Sequence, residues 1–161
     1  MRDNHRPITQ KIISGGQTGA DRAALDFAIA HNIPYGGWIP KGRKTEDGTL
    51  PENYQLQEMS TGSYTDRTEK NILDSNGTLI VSHGKLTGGS ALTRELAKKH
   101  KKPWIHIDLD NVHQPEAAQL LTEWAEKHQI SIMNVAGARS SKDAKIYRAT
   151  FDLLTAALLG S

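Results

Sequence analysis

The stretch that decides the fold is IISGGQTGADR, residues 12–22. An apolar run ends at Ile13, three glycines follow within Gly15–Gly19, and an amphipathic helix begins near Ala20. A turn of this kind between a strand and a helix presents backbone N–H groups to an anion at the positive end of the helix dipole. Its spacing is neither that of a P-loop nor a clean dinucleotide GxGxxG. The stretch therefore predicts a phosphate-type ligand site of a less common kind.

Short apolar segments alternate with amphipathic ones along the chain. The predicted strands are Lys11–Ser14, Thr78–Ser82, Trp104–Asp108 and Ile132–Ala136, with a weaker one at Pro34–Trp38; the predicted helices are Ala20–Asn32, Thr65–Ser75, Ser90–Lys99, Pro115–His128 and Ser141–Leu159. Strands rich in Ile and Val with little alternation are typical of sheets covered on both faces. The order of elements predicts an α/β fold with a doubly wound parallel sheet, and the length suits one domain over residues 1–161.

Composition excludes several classes of protein. Acidic and basic residues are interspersed and the formal net charge is only +2, so nothing in the charge pattern indicates nucleic acid. The absence of cysteine removes disulfides, thiolate catalysis and cysteine metal ligands. The segment Met1–Gln10 is polar and lacks the apolar core of a signal peptide, and no apolar run approaches the roughly 20 residues of a membrane span. We expect a cytoplasmic protein that binds neither nucleic acid nor membrane.

Three glycine-rich or hydroxyl-rich loops directly follow predicted strands. They are GGQTG at 15–19, HGKLTGGS at 83–90 and GARSS at 137–141. The carboxyl ends of parallel strands share one edge of a sheet, where ligands of open α/β folds bind. Each loop alone is as well read as a tight turn, but three at one edge predict a shared pocket that offers N–H and hydroxyl donors to a phosphate.

The segment from Ile39 to Ser63 has no clear period and mixes both charge signs, with Trp38 at its entry. Loops of this length are functional or disordered in compact domains. Lys41 and Arg43 are positioned to neutralise an anion from this loop, and Arg139 from the last one, although a solvated surface charge is the alternative for each. We interpret the segment as a binding loop, with a solvated surface loop as the alternative.

Asp21 does not suit a phosphate, because a carboxylate repels the anion that the adjacent turn attracts. Either Asp21 pairs with a base and only stabilises the helix start, or it accepts hydrogen bonds from an uncharged part of the ligand. The same two alternatives apply to the carboxylate of Glu46. A ligand with both a phosphate and amino or hydroxyl donors would account for the mixture.

Catalytic signatures are weak. The sequence has no HExxH, no Ser-His-Asp set and no metal-ligand cluster of conventional spacing, and no catalytic residue is assigned. His83 follows a strand and is as well explained by a turn as by a ligand contact. The residues favour a binding protein over an enzyme.

Five motifs resemble the "putative molybdenum carrier" family and cover nearly the whole chain. They are GGQTGADRAALD at 15–26, GGWIPKGR at 36–43 followed by Glu46-Asp47-Gly48, YTDRTEKN at 64–71, LTGGSALT at 86–93 and NVAGAR at 134–139. The resemblance implies a Rossmann-like three-layer α/β/α fold and a homo-oligomer, commonly a tetramer. It also implies a non-catalytic carrier that stores molybdenum cofactor and delivers it to molybdoenzyme acceptors.

The candidate ligand-binding residues are those of the three loops, the long segment and the helix start. They are Gly15, Gly16, Gln17, Thr18, Gly19, Asp21, Arg22, Trp38, Lys41, Arg43, Glu46, Ser82, Thr87, Gly88, Gly89, Ser90 and Arg139. The carried ligand is expected to be the cofactor, with molybdate or another phosphate-like anion as the alternative. The phosphate of the cofactor suits the glycine turns, and its pterin ring offers N–H donors to carboxylates.

A second hypothesis is an enzyme that acts on a nucleotide. The wider superfamily contains cytokinin-activating phosphoribohydrolases with the motif PGGxGTxxE, which TGGSALTRE at 87–95 matches only in its paired glycines and final Glu95. Ala91 and Leu92 replace the Gly-Thr of that motif, which argues against the hydrolase. Oligomerisation is further suggested by apolar residues of the last helix, Ile146, Leu153, Leu154, Leu158 and Leu159, which would serve an ordinary core equally well.

Overall fold

The computed structural model describes residues 8–160, which leaves most of the polar segment Met1–Gln10 outside the described residues. The strands are β1 (Lys11–Ile13), β2 (Tyr35–Gly36), β3 (Trp38–Ile39), β4 (Lys44–Thr45), β5 (Gly48–Thr49), β6 (Gln57–Glu58), β7 (Gly77–Ser82), β8 (Trp104–Asp108) and β9 (Ile132–Gly137). The helices are α1 (Ala20–Ala30), α2 (Tyr64–Leu73), α3 (Gly88–Lys99), α4 (Glu116–His128) and α5 (Ile146–Leu154), and a π-helical turn (Thr155–Leu159) continues from α5.

Five strands form one sheet in the order β2-β1-β9-β7-β8, and every neighbouring pair is parallel. The last strand, β9, therefore lies in the centre, with Ile12 of β1 opposite Met133 on one side and Leu79 of β7 opposite Val135 on the other. β7 is buried along its whole length, as a strand covered on both faces must be. The prediction of a Rossmann-like parallel α/β fold is confirmed.

The helices cover the sheet in two layers. On one face α1, α4 and α5 enclose the larger core, in which Phe27, Leu121 and Leu153 are fully buried. On the other face α2 and α3 pack together over a smaller cluster around Ile72 and Leu96. The second layer leaves a gap between α2 and the central strands, and the polar residues of that gap form the cleft described below.

Three predicted elements differ from the structure. The weak strand Pro34–Trp38 is divided into β2, which pairs with β1, and β3, which pairs with β6 in a separate sheet. The last helix begins at Ile146 rather than at Ser141, because the carboxylate of Asp143 accepts a hydrogen bond from the backbone N–H of Lys145 and holds a turn there. The segment 39–63 contains short strand pairs, including the antiparallel pair of β4 and β5, where an irregular loop was predicted.

The apolar residues of the last helix belong mainly to the core of the single chain. Ile146, Leu153, Leu154 and Leu158 are buried, whereas Leu159 is exposed. The last helix therefore gives little support for an oligomer interface, and oligomerisation stays a prediction. Within residues 8–160, the helices are all shorter or more polar than a membrane span requires.

Candidate functional site

A partly open cleft of about 180 Å³ lies at the carboxyl-end edge of the sheet. The loops that follow β1, β7 and β9 form its walls, and one side of α2 closes it. The three loops that the sequence singled out therefore do meet at one edge, as expected for a parallel sheet. Of the predicted site residues, the lining includes Gly15, Gln17, Asp21, Ser82, Thr87, Gly89, Ser90 and Arg139.

The inner end of the cleft is built around an ion pair between Arg67 of α2 and Asp21 of α1. Arg67 Nη1 lies 3.5 Å from Asp21 Oδ2 and donates a 2.7 Å hydrogen bond to the carbonyl of Gly15. Both side chains are buried. A Cβ on Gly15 would lie 1.9 Å from Arg67 Nη1, so only glycine lets the guanidinium approach the β1–α1 turn this closely. Gly15, the first glycine of the turn, thus leaves room for the guanidinium of Arg67.

Burial and neighbouring charge shift the pKa values of Asp21 and Arg67 in opposite directions. Burial raises the pKa of Asp21 above its ordinary value, and the nearby charge of Arg67 and the hydrogen bond from the backbone N–H of Gln17 only partly counter it. Burial also lowers the pKa of Arg67, while the charge of Asp21 opposes that shift. Arg22 and Arg139 also act to lower the pKa of Asp21, but Arg67 is the guanidinium with the largest effect on this buried carboxylate.

Gln17 and Arg67 each leave one buried donor without a partner among the described residues. The Oε1 atom of Gln17 accepts from the backbone N–H groups of Thr18 (3.0 Å) and Glu46 (2.9 Å), which fixes the amide orientation and leaves Nε2 as the free donor. In Arg67 the unpartnered atom is Nε. An unpaired buried donor costs about 1–3 kcal/mol, so an acceptor that reached these atoms would relieve a stored penalty.

The outer end of the cleft is cationic and lies at the N-terminus of α3. No side chain of the described residues caps this helix, whose N-cap is Thr87. The Lys142 ammonium lies 3.0 Å from the position that a Cβ on Gly88 would take, directly over the first turn. Arg139 also lines the cleft, with its guanidinium 5.8 Å from the ring centre of Tyr64. Free helix N–H groups beside a lysine and an arginine are typical of a phosphate site.

Two histidine contacts lie near the same edge. His83 Nδ1 lies 2.6 Å from the carboxylate of Asp143, which joins the β7 loop to the β9 loop across the cleft. His106 Nε2 lies 2.7 Å from the hydroxyl of Ser82, but this hydroxyl already donates to the carbonyl of Gly84. His106 must therefore donate to Ser82, so it has no free electron pair at Nε2 to activate that hydroxyl as a nucleophile.

Several predicted anion-binding residues are engaged elsewhere. Arg43 donates to the carbonyls of Leu50, Pro51 and Tyr54, so it holds the long loop together instead of facing a ligand. Arg22 donates to the carbonyl of Gly16 and pairs with an aspartate of the loop. Their guanidinium groups are used by loop carbonyls because a folded loop must satisfy its own backbone acceptors.

Trp38 and Lys41 lie away from the cleft. The indole N–H of Trp38 donates to Asp74 at 2.7 Å, and the residue lines a second cavity over the β1–β2 edge of the sheet. Lys41 is exposed on the long loop, where its backbone N–H donates to the carbonyl of Thr61.

The remaining predicted residues, Gly16, Thr18, Gly19 and Glu46, are not among those that line the cleft and lie in the loops around it. Glu46 accepts hydrogen bonds from the hydroxyl of Thr18 and from the backbone and hydroxyl of Ser141, which fastens the long loop to the β9 loop. Burial acts to raise the pKa of Glu46, but these hydrogen bonds outweigh it and hold the pKa below its ordinary value. Gly16 has a φ of +74° and faces apolar side chains of the long loop, and a Cβ on Gly19 would lie 2.3 Å from the carbonyl of Ala138.

Most of the other residues that line the cleft were not predicted, and four polar ones matter most for its chemistry. Arg67, Thr68 and Asn71 come from one face of α2, and Lys142 comes from the β9 loop. The motif YTDRTEKN was noted as part of the family resemblance, yet its residues were not assigned to the site. A signal was present, because arginine and asparagine four positions apart on a helix that carries apolar Ile72 share one inward face.

A model described as the circularly permutated YpsA SLOG family matches residues 12–158. The chain belongs to this family. In this SLOG protein β9 lies in the middle of the sheet, between β1 and β7. No curated protein matches the chain.

A solved structure gives a closer comparison for this SLOG protein. The crystal structure of a "Putative molybdenum carrier protein" from Syntrophus aciditrophicus SB is 61% identical; the match covers 95% of this chain and 97% of that one, with a TM-score of 0.94. This similarity confirms the family resemblance seen in the sequence. A second structure, (E)-4-hydroxy-3-methyl-but-2-enyl diphosphate reductase, is 12% identical over 89% of this chain and 59% of that one, and its TM-score of 0.32 supports no argument.

Proposed function

We propose that the cleft binds a phosphate-bearing small molecule and that the protein carries this molecule, molybdenum cofactor, without altering it. The observation that supports the proposal is the charge of the cleft. Four cationic side chains line it, Arg67, Arg139, Lys85 and Lys142, against two carboxylates, Asp21 and Asp143. Such an excess at the start of an uncapped helix favours a phosphate.

Three further features are compatible with a carrier. The cleft is partly open to solvent, which suits a ligand that must be released. The sequence has no cysteine, and molybdenum cofactor brings its own dithiolene sulfurs to the metal. The solved structure at 61% identity carries the name of a molybdenum carrier.

The test is retention of the cofactor by purified protein. Molybdenum cofactor released anaerobically from a donor enzyme is incubated with the protein, and its loss to oxidation and its transfer to a cofactor-free molybdoenzyme are followed. We expect slower oxidation than in free solution and productive transfer. Lys142→Ala is expected to weaken retention, whereas Lys41→Ala removes the same charge outside the cleft and serves as the control. Cofactor loss as fast with the protein as without it would contradict the proposal.

A nucleotide hydrolase is the second candidate, and one observation favours it. Asp21 is a buried carboxylate in the cleft with a raised pKa, which is typical of a general acid or base. Glu95, the glutamate that TGGSALTRE shares with the hydrolase motif, is exposed and pairs with Arg94 and Lys98 away from the cleft. Release of ribose phosphate from a panel of nucleoside monophosphates, abolished by Asp21→Asn, would establish the enzyme.

Homo-oligomerisation and delivery to a molybdoenzyme are proposed on the family resemblance. Light scattering at working concentration tests the first, and the transfer assay tests the second. A monomer at the concentrations used for cofactor binding would remove the oligomer from the proposal.

A further inference from the structure

The two ends of the cleft differ in chemistry. At the inner end lie Gln17, Asp21 and Arg67, each more than nine-tenths buried. At the outer end lie Lys142, which is exposed, and Arg139, which is partly buried, beside the free N-terminus of α3. A ligand that fills the cleft therefore meets a buried polar environment at one end and a solvated cationic one at the other.

The inner end offers both donors and an acceptor. Its donors are Gln17 Nε2 and Arg67 Nε, which have no partner among the described residues. Its acceptor is the carboxylate of Asp21, whose contacts with Arg67 and the Gln17 backbone both involve Oδ2. A group that fits must supply an acceptor to the first two atoms and a donor to the carboxylate.

A phosphate is a poor match for this arrangement. Phosphate oxygens accept hydrogen bonds but repel an ionised carboxylate at contact distance, and burial reduces the solvent screening of that repulsion. The positive charge of Arg67 is already shared with Asp21 at 3.5 Å. At the outer end the carboxylate of Asp143 is engaged by His83 at 2.6 Å, and Lys142 lies over the first turn of α3, where it can pair with a phosphate.

We propose that the inner end binds an aminopyrimidinone edge, in which a ring carbonyl lies beside ring N–H and amino groups, while a phosphate on the same molecule occupies the outer end. The carbonyl accepts from Gln17 and Arg67, and the N–H groups donate to Asp21. Pterins and guanine share this edge, whereas adenine lacks it. The inference rests on the proposed use of the cleft as a ligand site and specifies which residues meet which part of the ligand.

The first experiment uses commercial probes and the full chain. Equilibrium binding is measured for GMP, AMP, inorganic phosphate, and the phosphate-free compounds guanosine, adenosine and neopterin. We expect GMP to bind at least about 10-fold more tightly than AMP, since loss of a hydrogen-bonded edge leaves buried polar groups unpaired. Guanosine and neopterin are expected to bind better than adenosine, and their relative affinity distinguishes the two sources of the ring. Equal affinity of the natural protein for GMP and AMP overturns the proposal, and this result needs no variant.

The second experiment compares Asp21→Asn with Asp143→Asn. Both variants remove one negative charge from the cleft, but Asp143 contacts His83 and not the inner end. Asp21→Asn is expected to lower GMP affinity about 10-fold, to the level of AMP, and to leave phosphate affinity unchanged, whereas Asp143→Asn, at the outer end, is expected to strengthen phosphate binding. If phosphate binds at the inner end instead, Asp21→Asn will strengthen phosphate binding more than Asp143→Asn does, which overturns the assignment.

A gain of function distinguishes the loss of a specific hydrogen bond from misfolding of the variant. Asparagine at position 21 presents an amide donor where aspartate presents only acceptors, so the complementary ring has a carbonyl in place of the amino group. Asp21→Asn is therefore expected to bind xanthosine monophosphate better than GMP. A folded variant, judged by its thermal transition, that keeps the GMP preference of the natural protein contradicts the proposal.

The outcomes separate this inference from the carrier proposal. Retention of molybdenum cofactor with equal GMP and AMP affinity leaves the carrier standing and removes the edge assignment. Discrimination between GMP and AMP without retention of the cofactor leaves the edge assignment standing and removes the carrier proposal.

Discussion

Replacement of Arg67 by methionine tests the electrostatic account of the cleft most directly. Methionine keeps much of the side-chain length and the fit beside Gly15 but removes the charge that faces Asp21. The carboxylate then lies buried without its guanidinium partner, and the carbonyl of Gly15 loses a 2.7 Å hydrogen bond. We expect a folded but clearly destabilised protein.

The magnitude follows from the geometry. Two unit charges 3.5 Å apart attract by about 5 kcal/mol at an effective dielectric constant of about 20. Part of this attraction offsets the cost of burying the guanidinium, which the variant no longer incurs. Removal of one partner from a buried ion pair costs about 3–5 kcal/mol in measured cases. For a chain of this size the loss corresponds to a fall in Tm of roughly 6–20 °C.

The sign of the pH dependence gives a sharper test than the magnitude. Burial raises the pKa of Asp21, and Arg67 limits that rise, so the variant has a still higher folded-state pKa. A raised carboxyl pKa stabilises the fold most below the unfolded value of about 3.9, and this contribution is lost as the pH rises through the folded value. The stability deficit of Arg67→Met should therefore be larger at pH 8 than at pH 5.

Urea denaturation at pH 5 and pH 8 measures both quantities, and Arg67→Met combined with Asp21→Asn is the matched control. The double variant contains no buried charge at this point, so it should recover part of the lost stability and show little pH dependence of the deficit. A deficit below about 1 kcal/mol at pH 8, or one that does not change between the two pH values, would refute the reasoning.

Three more perturbations test the long loop and the glycine turn. Arg43→Ala is expected to leave phosphate binding unchanged but to speed proteolysis within residues 39–63, since three loop carbonyls lose their donor. Glu46→Gln should lower the free energy of unfolding by about 1–2 kcal/mol at pH 7, as measured by urea denaturation. Because the pKa of Glu46 is lowered in the folded state, its contribution to stability is present above about pH 4.3 and is lost as the pH falls through the folded value. The difference in stability between the variant and the natural protein should therefore disappear on acidification. Gly16→Val should destabilise by more than about 2 kcal/mol, because φ is +74° and Leu56 lies 2.9 Å from the added Cβ; an equally stable variant that no longer binds phosphate would restore the view that this glycine faces the anion.

Local pattern was sufficient to predict the sheet and the edge at which the cleft forms. Runs such as residues 78–82 are apolar without alternation, and the glycine-rich turn at 15–19 directly precedes a helix, so element type and the loop cluster follow from short stretches. Helix α2 was also predicted, as Thr65–Ser75, and its observed start follows Ser63, whose side chain accepts a hydrogen bond from the N–H of Asp66.

The choice of contacting residues was less accessible because it depends on partners distant in the chain. An arginine on a helix is usually solvated, and the carbonyl that Arg67 contacts is 52 residues away. Arg43 was predicted to meet an anion, but the carbonyls that engage it become neighbours only when the loop folds. The apolar face opposite Gly16 was hidden for the same reason.

The central position of β9 has a consequence for how the protein is made. Lys11 of β1 pairs with Ile132, so β1 remains without this neighbour until a segment 121 residues later is synthesised, whereas β9 begins 50 residues after the end of β7. At about 5–20 residues per second, the ribosome needs roughly 6–24 s to supply it, and the two halves of the sheet meanwhile expose unpaired edges. We expect nascent chains stopped before residue 132 to be protease-sensitive and held by chaperones, and protection to appear in one step once β9 is available.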